Sequence, residues 1–440
     1  MSHELIALLM FSSMMVMLLT GQRIFAAIGF VASVAALALY GPGGIEMPFS
    51  ATFKLFNWFP ILTVPMFIFM GYMFSESGIS EELYRMLHVW FGRLRGGLAI
   101  GTMLLMVIIS AMNGLSVAGM AVGATIALPE MLRRGYNKVM ISGVVQGGSS
   151  LGILIPPSVV LVLYGMIARQ PVGQLWLAGV VPGLLMASIF ILYIVIRCRL
   201  NPDLAPTVDD EDLNMPLKEK LKLLRAGIIP FLIFLSMTGL FVMGYTSLVE
   251  ASAVGVTASI IAAAAKGRLT WKVLFETSKK TLNISCMFMW LILAALAFGG
   301  IFDGLGAVRA IERLFITDMG LDPWMVMCMM MATFIFLGIF LDDTAMLVIV
   351  APLFIPLVKA LGFDLIWFGV LYTITCQIAY ITPPFGYNLF LMRALAPKEI
   401  TLIDIYRSII PFFLMMVGTI VILMIFPQIA LWLPNYMYGK

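Results

Sequence analysis

Few side chains in this sequence could do chemistry, and nearly all of them sit inside apolar runs. Asp342, Asp343 and Thr344 interrupt one such run, and Asn113-Gly114 interrupts another. Gly147, Ser149 and Ser150 precede the pair Pro156-Pro157, while Thr373, Thr375 and Gln377 precede Pro383-Pro384. These are oxygen donors: hydroxyls, amides, carboxylates, and the carbonyls that a broken helix releases. In an apolar medium each needs a partner, a cavity or an ion. Grouped, they suit a small hard cation, and two adjacent carboxylates suit protons equally well; the spacing leaves that choice open. The competing reading is that Gly and Ser merely let helices approach closely, or that the Asp pair caps a helix or meets a wet loop.

Other chemistries are poorly provided for. The two His, His3 and His88, and the four Cys have no metal-ligand spacing. The paired Asp raise an intramembrane aspartyl protease, but such dyads place their carboxylates on two helices. Asp342 and Asp343 are neighbours on one turn. The expectation is no enzyme and no nucleic-acid partner. Glu250 begins a helix, where it complements the dipole.

The elements that carry these residues are membrane helices. Of 440 residues, 62% are hydrophobic and 11% charged, with mean hydropathy +1.04. A soluble domain is nearer half apolar and a quarter charged. The chain reads as an all-α polytopic protein whose main partner is the lipid bilayer. No Lys or Arg precedes the first apolar run, which argues against a cleaved signal peptide.

Residues 1–57 form two N-terminal scaffold helices (about 5–20 and 24–40) and a short loop with Lys54. Residues 58–198 contain a helix, an amphipathic interfacial helix from Ser80, an apolar segment 98–130, a broken helix 138–166 and a further helix. Residues 199–226 form a charged linker. Residues 227–282 supply two connecting helices and an amphipathic stretch from Thr270 to Lys280. Residues 283–440 repeat the first plan: a helix 283–302, an interfacial helix, an apolar segment 322–358, a broken helix 364–395 and a last helix at about 404–432.

The segment 98–130 has a polar middle that leaves about 13–15 apolar residues on each side, too few to span comfortably, and 322–358 is likewise interrupted by a polar middle. They are expected to be re-entrant hairpins. A chain offset of 227 relates the halves: Gly135 precedes Pro156 by 21 positions as Gly362 precedes Pro383, and Pro129 falls on Pro356. About ten spans plus two hairpins leave only Lys54, Arg169, Arg309, Arg313, Lys359 and Lys440, of 27 Lys and Arg, on one side. The basic side is the cytoplasm, so both termini are expected in the periplasm. The hairpins then enter from opposite faces, and the halves form an inverted repeat, the architecture of alternating-access transporters.

At this point the residues resemble a family: the large membrane subunit of tripartite ATP-independent periplasmic (TRAP) transporters. The resemblance is carried by Ser77-Gly78-Ile79-Ser80, Arg95-Gly96-Gly97-Leu98-Ala99, Gly135-Tyr136, Ile155-Pro156-Pro157-Ser158 and Glu250-Ala251. In the second half it is carried by Gly338-Ile339-Phe340-Leu341-Asp342 and Thr382-Pro383-Pro384-Phe385-Gly386-Tyr387-Asn388-Leu389-Phe390. It implies an elevator-type architecture of the ion-transporter superfamily in a bacterial inner membrane. It also implies sodium-coupled import of a small organic anion, a carboxylate or sulfonate. The implied partners are a periplasmic substrate-binding protein and a small four-helix membrane subunit. A stand-alone sodium- or proton-coupled anion transporter is the alternative. Two departures fall at the expected site: the first tip reads Asn113-Gly114-Leu115 where the family has Ser-Gly-Ser, and Asp343 stands where the family often has Pro.

Under that resemblance the coupling ion is sodium, in two pseudo-symmetric sites. Asn113, Gly114, Gly147, Ser149 and Ser150 are expected to form one, and Asp342, Asp343, Thr344, Thr373, Thr375 and Gln377 the other. No membrane-embedded Arg or Lys awaits the anion. The positive ends of half-helices starting near Leu115, Pro157, Thr344 and Pro384 are expected to hold it. Ser116, Gln146, Ser158, Tyr380, Thr382 and Asn388 are the candidate side-chain partners. The hairpins and broken helices are expected to move together, with all other helices as scaffold.

Overall fold

The computed structural model describes residues 2–92, 94–114, 116–206, 215–313, 320–338, 343–383 and 386–439. Every regular element among them is helical. Six of these helices are long and apolar enough to cross a membrane: Phe59–Glu76, Val172–Leu200, Leu217–Val242, Leu248–Ala265, Trp271–Gly304 and Leu402–Ile425. His3–Leu19 and Ile24–Leu39 form a pair ahead of them.

The first hairpin descends as Gly97–Asn113 and turns at Gly114. It returns through Ser116–Val122 and a wide turn, Gly123–Ala127, into Leu128–Arg133. Its tip stops against Pro157, between the two halves of the first broken helix, as expected of a re-entrant hairpin. The second hairpin consists of Pro323–Leu337 and Asp343–Ala360, whose Phe334 and Phe354 rings meet edge-on at 5.1 Å.

The broken helices break at their prolines. Lys138–Ser150 passes through one tight turn, Leu151–Ile153, loses helical form around Pro156-Pro157, and resumes as Val159–Ala168. Leu365–Ile381 ends at Thr382, whose backbone is extended (φ −96°, ψ 124°), and the helix resumes at Tyr387–Leu395. A residue before proline is pushed out of the helical region, and proline itself brings no N–H to the ladder. The Gly, Ser and Thr residues expected to mark the breaks therefore lie just inside intact helix. Ser149, Ser150, Thr373 and Thr375 each return a hydroxyl to a carbonyl three or four residues back.

The repeat is visible in matching local devices. Gly135 and Gly362, 227 positions apart, are both left-handed (φ 78° and 80°). Two residues on, Asn137 and Asp364 cap the broken helices, their Oδ1 atoms accepting backbone N–H groups at 3.0 and 3.2 Å and at 2.7 and 3.0 Å. Left-handed Gly78 and Gly306 likewise start the interfacial helices Ile79–Phe91 and Ala307–Glu312.

Three expectations are corrected. The loop at 41–57 is largely helical, as Gly41–Ile45 and Glu46–Phe56; Pro48 falls in the first turn, where its missing N–H costs nothing. Phe49, Phe53 and Phe56 are exposed on it, as suits a helix at a bilayer surface. The stretch Thr270–Lys280 and the following span are one helix, Trp271–Gly304, of 34 residues, because nothing between them breaks the ladder. Conversely, the last helix stops at Ile425, and Pro427 starts a separate helix, Gln428–Tyr438.

The broken helices are sheathed in protein. Met140 through Ser150 are all buried, as are all residues of Leu371–Ala379. This is the condition under which irregular backbone is tolerated at membrane depth. Two helices expected to be scaffold supply much of the sheath. Phe412 of Leu402–Ile425 packs where Cβ atoms on Gly143 and Gly147 would otherwise stand. Trp367 Nε1 donates to the Leu423 carbonyl at 2.9 Å, and Trp176 Nε1 of Val172–Leu200 donates to the Ser158 carbonyl at 3.3 Å.

Candidate functional site

The site begins at the first hairpin tip. Gly114 holds φ +64°, and a Cβ added there would lie well under 3.0 Å from the Pro157 carbonyl oxygen. Only glycine gives both the left-handed turn and that approach. The Val159 N–H donates to the Gly114 carbonyl at 3.3 Å, so the tip is bonded across the break. Ser158 seals the other side: its hydroxyl donates to the Ile153 carbonyl, and its Oγ accepts the Leu161 N–H at 3.1 Å.

Four of the candidate residues meet one turn away. Ser116 Oγ donates to Asn388 Oδ1 at 3.0 Å, Asn388 Nδ2 donates to Ser149 Oγ at 3.1 Å, and Ser149 Oγ donates to the Gln146 carbonyl at 3.0 Å. All four residues are buried. The chain of bonds joins the returning leg of the first hairpin, the resumed half of the second broken helix and the first half of the first. A fourth piece is tied in by Gln377, whose Nε2 donates to the Ser150 carbonyl at 3.0 Å. Ser150 and Gln377 are themselves related by the 227 offset, so the repeats touch at equivalent positions.

Two buried oxygens in this region have no hydrogen-bond partner: Gln146 Oε1 and Gln377 Oε1. Their orientation is set by chemistry, because each Nε2 faces a carbonyl (Ser142 at 3.3 Å, Ser150 at 3.0 Å), which can only accept. A buried unpartnered amide oxygen costs about 1–3 kcal/mol. One such acceptor stands on each broken helix, and acceptors without donors are what a bare cation takes.

The remaining candidates fall as follows. Thr382 returns its hydroxyl to the Ile378 carbonyl at 2.6 Å, and Tyr380 lies 6.0 Å, ring to ring, from Tyr387. The Gly147 carbonyl is taken by Ser150 Oγ at 2.6 Å. Asn113, Asp343 and Thr344 are helical in backbone, and their side chains, like all of Leu115, Asp342 and Pro384, lie outside the described residues.

Two contributors had little signal in the sequence. Ser408 Oγ accepts from Gln146 Nε2 at 2.9 Å, and Gly119 faces Ser149, where an added Cβ would come within 3.4 Å of it. Neither stands in a broken segment; only the offset of Gly119 from the Asn113-Gly114 tip points to it.

Among the described residues, the ion pairs lie away from the break. At the hairpin base Glu130 takes Arg133 at 2.8 Å and Arg134 at 2.6 Å. Partial burial pushes this carboxyl up, but the hydrogen bonds and charges of the two arginines outweigh it and hold it below the usual carboxylate range. Lys138 pairs with Asp404 at 2.8 Å, joining the base of the first broken helix to Leu402–Ile425.

An inverted repeat of hairpins and broken helices, with its polar residues gathered where the breaks meet, defines a multi-pass membrane transporter. More narrowly, residues 11–429 match the family described as the DctM component of the tripartite ATP-independent periplasmic transporter, and the chain belongs to that family. It is 30% identical over 410 residues, 91% of this chain and 92% of the other, to the C4-dicarboxylate TRAP transporter large permease protein DctM of Pseudomonas aeruginosa. It is 28% identical to the ectoine/5-hydroxyectoine TRAP transporter large permease protein UehC of Ruegeria pomeroyi, covering 86% and 87% of the two chains. It is also 28% identical to the sialic acid TRAP transporter permease protein SiaT of Haemophilus influenzae, covering 93% of this chain and 65% of that one. Among solved structures, the Alcanivorax borkumensis YdaH transporter shares the fold at a TM-score of 0.66 and 14% identity, covering 90% and 91% of the two chains.

Proposed function

We propose that this protein is the permease subunit through which a small organic anion, a carboxylate or sulfonate, enters a bacterial cell across the inner membrane, driven by sodium. A periplasmic binding protein delivers the anion, and a small four-helix membrane subunit completes the complex. Both termini face the periplasm. The observation that carries the sodium part is the pair of unpartnered buried oxygens, Gln146 Oε1 and Gln377 Oε1, one on each broken helix. Sodium is co-transported cargo, and these two oxygens, with carbonyls released at the breaks, are the atoms that fit it. The anion is held by the positive ends of the half-helices beginning at Val159 and Tyr387.

Transport follows from moving this core as one body between the membrane faces. The moving body includes Val172–Leu200 and Leu402–Ile425 as well as the hairpins and broken helices. Pulling those two helices away would break the Trp176–Ser158, Trp367–Leu423 and Gln146–Ser408 bonds in a dry interior. The described residues gathered at the break, Ser116, Gln146, Ser149, Gln377 and Asn388, carry no charge, so they do not select by charge. The substrates for which the relatives are named, from C4-dicarboxylate to sialic acid and ectoine, fit selection upstream in the binding protein.

The test is reconstitution of the chain with its small subunit in proteoliposomes, with the purified binding protein outside. A screen of organic acids by thermal shift of the binding protein names the anion. Uptake is expected only with that protein and an inward sodium gradient. Uptake undiminished without the binding protein, or driven equally by a proton gradient alone, would sink the reading.

A further inference from the structure

A second feature lies away from the breaks. A cavity of about 1460 Å³ opens between the two kinds of element. Its lining includes Ser50 and Trp58 of the N-terminal region, Asp303 of Trp271–Gly304, and Arg169, Gln170 and Lys359. Arg169 caps the outer end of the first broken helix, and Lys359 sits in the last turn of the second hairpin.

Three observations set these two cations apart. Both are exposed, and neither forms an ion pair among the described residues, although Asp303 lines the same cavity. They are two of the six Lys and Arg that fall on the sparsely basic side of the chain, a side on which positive charge is otherwise avoided. Finally, Arg169 is left-handed (φ 54°, ψ 42°), the one described non-glycine residue with positive φ. A helix end of this kind ordinarily takes glycine. The chain instead carries a strained arginine there, and such strain marks positions kept for another reason. A helix dipole accounts for a cation near a helix C-terminus. It does not account for arginine in place of glycine, nor for both cations facing one cavity without a carboxylate partner.

We propose that this cavity is an anion antechamber, a capture site for a small carboxylate or sulfonate outside the central site, with Arg169 and Lys359 as its counter-charges. It rests on the transport reading for its place on the import path, since that reading puts the cavity at the periplasmic face. The anion released there is held in a wide, water-filled space by two charges from the two halves of the moving core.

The local potential tests this without any transport. A reporter thiol is placed by Ser50→Cys, exposed on the cavity wall, in a background with the two exposed native cysteines removed (Cys286→Ser, Cys328→Ser). Its reaction rates with an anionic sulfonatoethyl and a cationic trimethylammonioethyl methanethiosulfonate are compared. Arg169→Gly with Lys359→Gln should lower the anion-to-cation rate ratio about three- to tenfold at low ionic strength, and the difference should collapse in high salt. Arg169→Gly suits the local backbone, so folding is kept. Arg309→Gln, which removes a charge from the same side of the chain but outside the cavity, should leave the ratio unchanged. An unchanged ratio in the double variant, or an equal fall in Arg309→Gln, overturns the proposal.

In the reconstituted complex the double variant should raise KM for the imported anion several-fold while binding-protein docking, read by surface plasmon resonance, is retained. Lost docking would assign the two cations to the partner and overturn capture. A parent complex with no uptake would sink the transport reading and leave the reporter result standing.

Discussion

Substituting Gly114→Ala attacks the contact on which the site depends. The new methyl would impose φ +64° on an L-residue, which costs about 1–2 kcal/mol. It would also stand well under 3.0 Å from the Pro157 carbonyl oxygen, so tip and break must part by about 1 Å, an overpacking cost of about 1–3 kcal/mol. The Val159 N–H to Gly114 carbonyl bond, 3.3 Å long, would be lost with it, for about 1 kcal/mol more. The sum is about 3–6 kcal/mol, or roughly two to four orders of magnitude in the population of the seated tip. The strain is relieved by lifting the tip, so global unfolding is affected less than function. Sodium-driven uptake in proteoliposomes should therefore be nearly abolished, while Tm in detergent falls only modestly. Two other glycines separate the contributions. Gly362→Ala, at φ +80° with open space around it, meets only the backbone term of about 1–2 kcal/mol. Gly300→Ala, helical and open, should stabilise by about 0.5–1 kcal/mol. Parent-like uptake by Gly114→Ala would refute the seated tip. Equal damage from Gly362→Ala would show that backbone strain, and not the contact, is what matters.

Asn388→Leu removes two buried hydrogen bonds and leaves the hydroxyls of Ser116 and Ser149 short of a partner; uptake should fall at least tenfold, and unchanged uptake would take this chain of bonds out of the mechanism. Gln377→Met keeps the volume but removes one unpartnered oxygen, so the sodium concentration for half-maximal uptake should rise several-fold; a parent-like sodium titration would remove Gln377 from the ion site. Phe412→Ala empties the space beside Gly143 and Gly147 and should cost about 3–5 kcal/mol in thermal or denaturant unfolding. Glu130→Gln tests the hairpin base. Its carboxyl is depressed in the folded state, so its stabilisation is fully present above the unfolded value near 4.5 and is lost as pH falls through the lower folded value. The variant should melt below the parent at pH 7, and the gap should close as pH falls from the unfolded value through the lower folded one; a gap constant with pH would argue against the ion pair as its cause.

Much of the architecture was legible because the membrane makes it so. Apolar length, polar interruption and the bias of Lys and Arg each have one physical reading when backbone groups must be satisfied internally. The break positions were legible less well. Ser149, Thr373 and Thr375 look like helix breakers in sequence, yet their hydroxyls return to carbonyls of their own helix and leave it intact. The helices lose their form ahead of Pro156 and Pro383 instead. The helix at Glu46–Phe56 was missed because most of its apolar side chains, Phe49, Phe53 and Phe56, are exposed and only Leu55 among its described residues is buried, so no periodic stripe announces it.

The sequence by itself determined the class of protein, the two-fold repeat of its parts and the two places where helices must stop, since local sterics and hydropathy act within a few residues. Only the tertiary structure decided which of the polar residues meet. Asn388 bonds to Ser149 and Ser116 across 239 and 272 positions, and Gln377 reaches Ser150 across 227. Those meetings depend on how each helix is rotated about its axis, and that rotation is set by packing such as Phe412 against Gly143 and Gly147. The same packing decides that two oxygens, Gln146 Oε1 and Gln377 Oε1, are left buried without a donor.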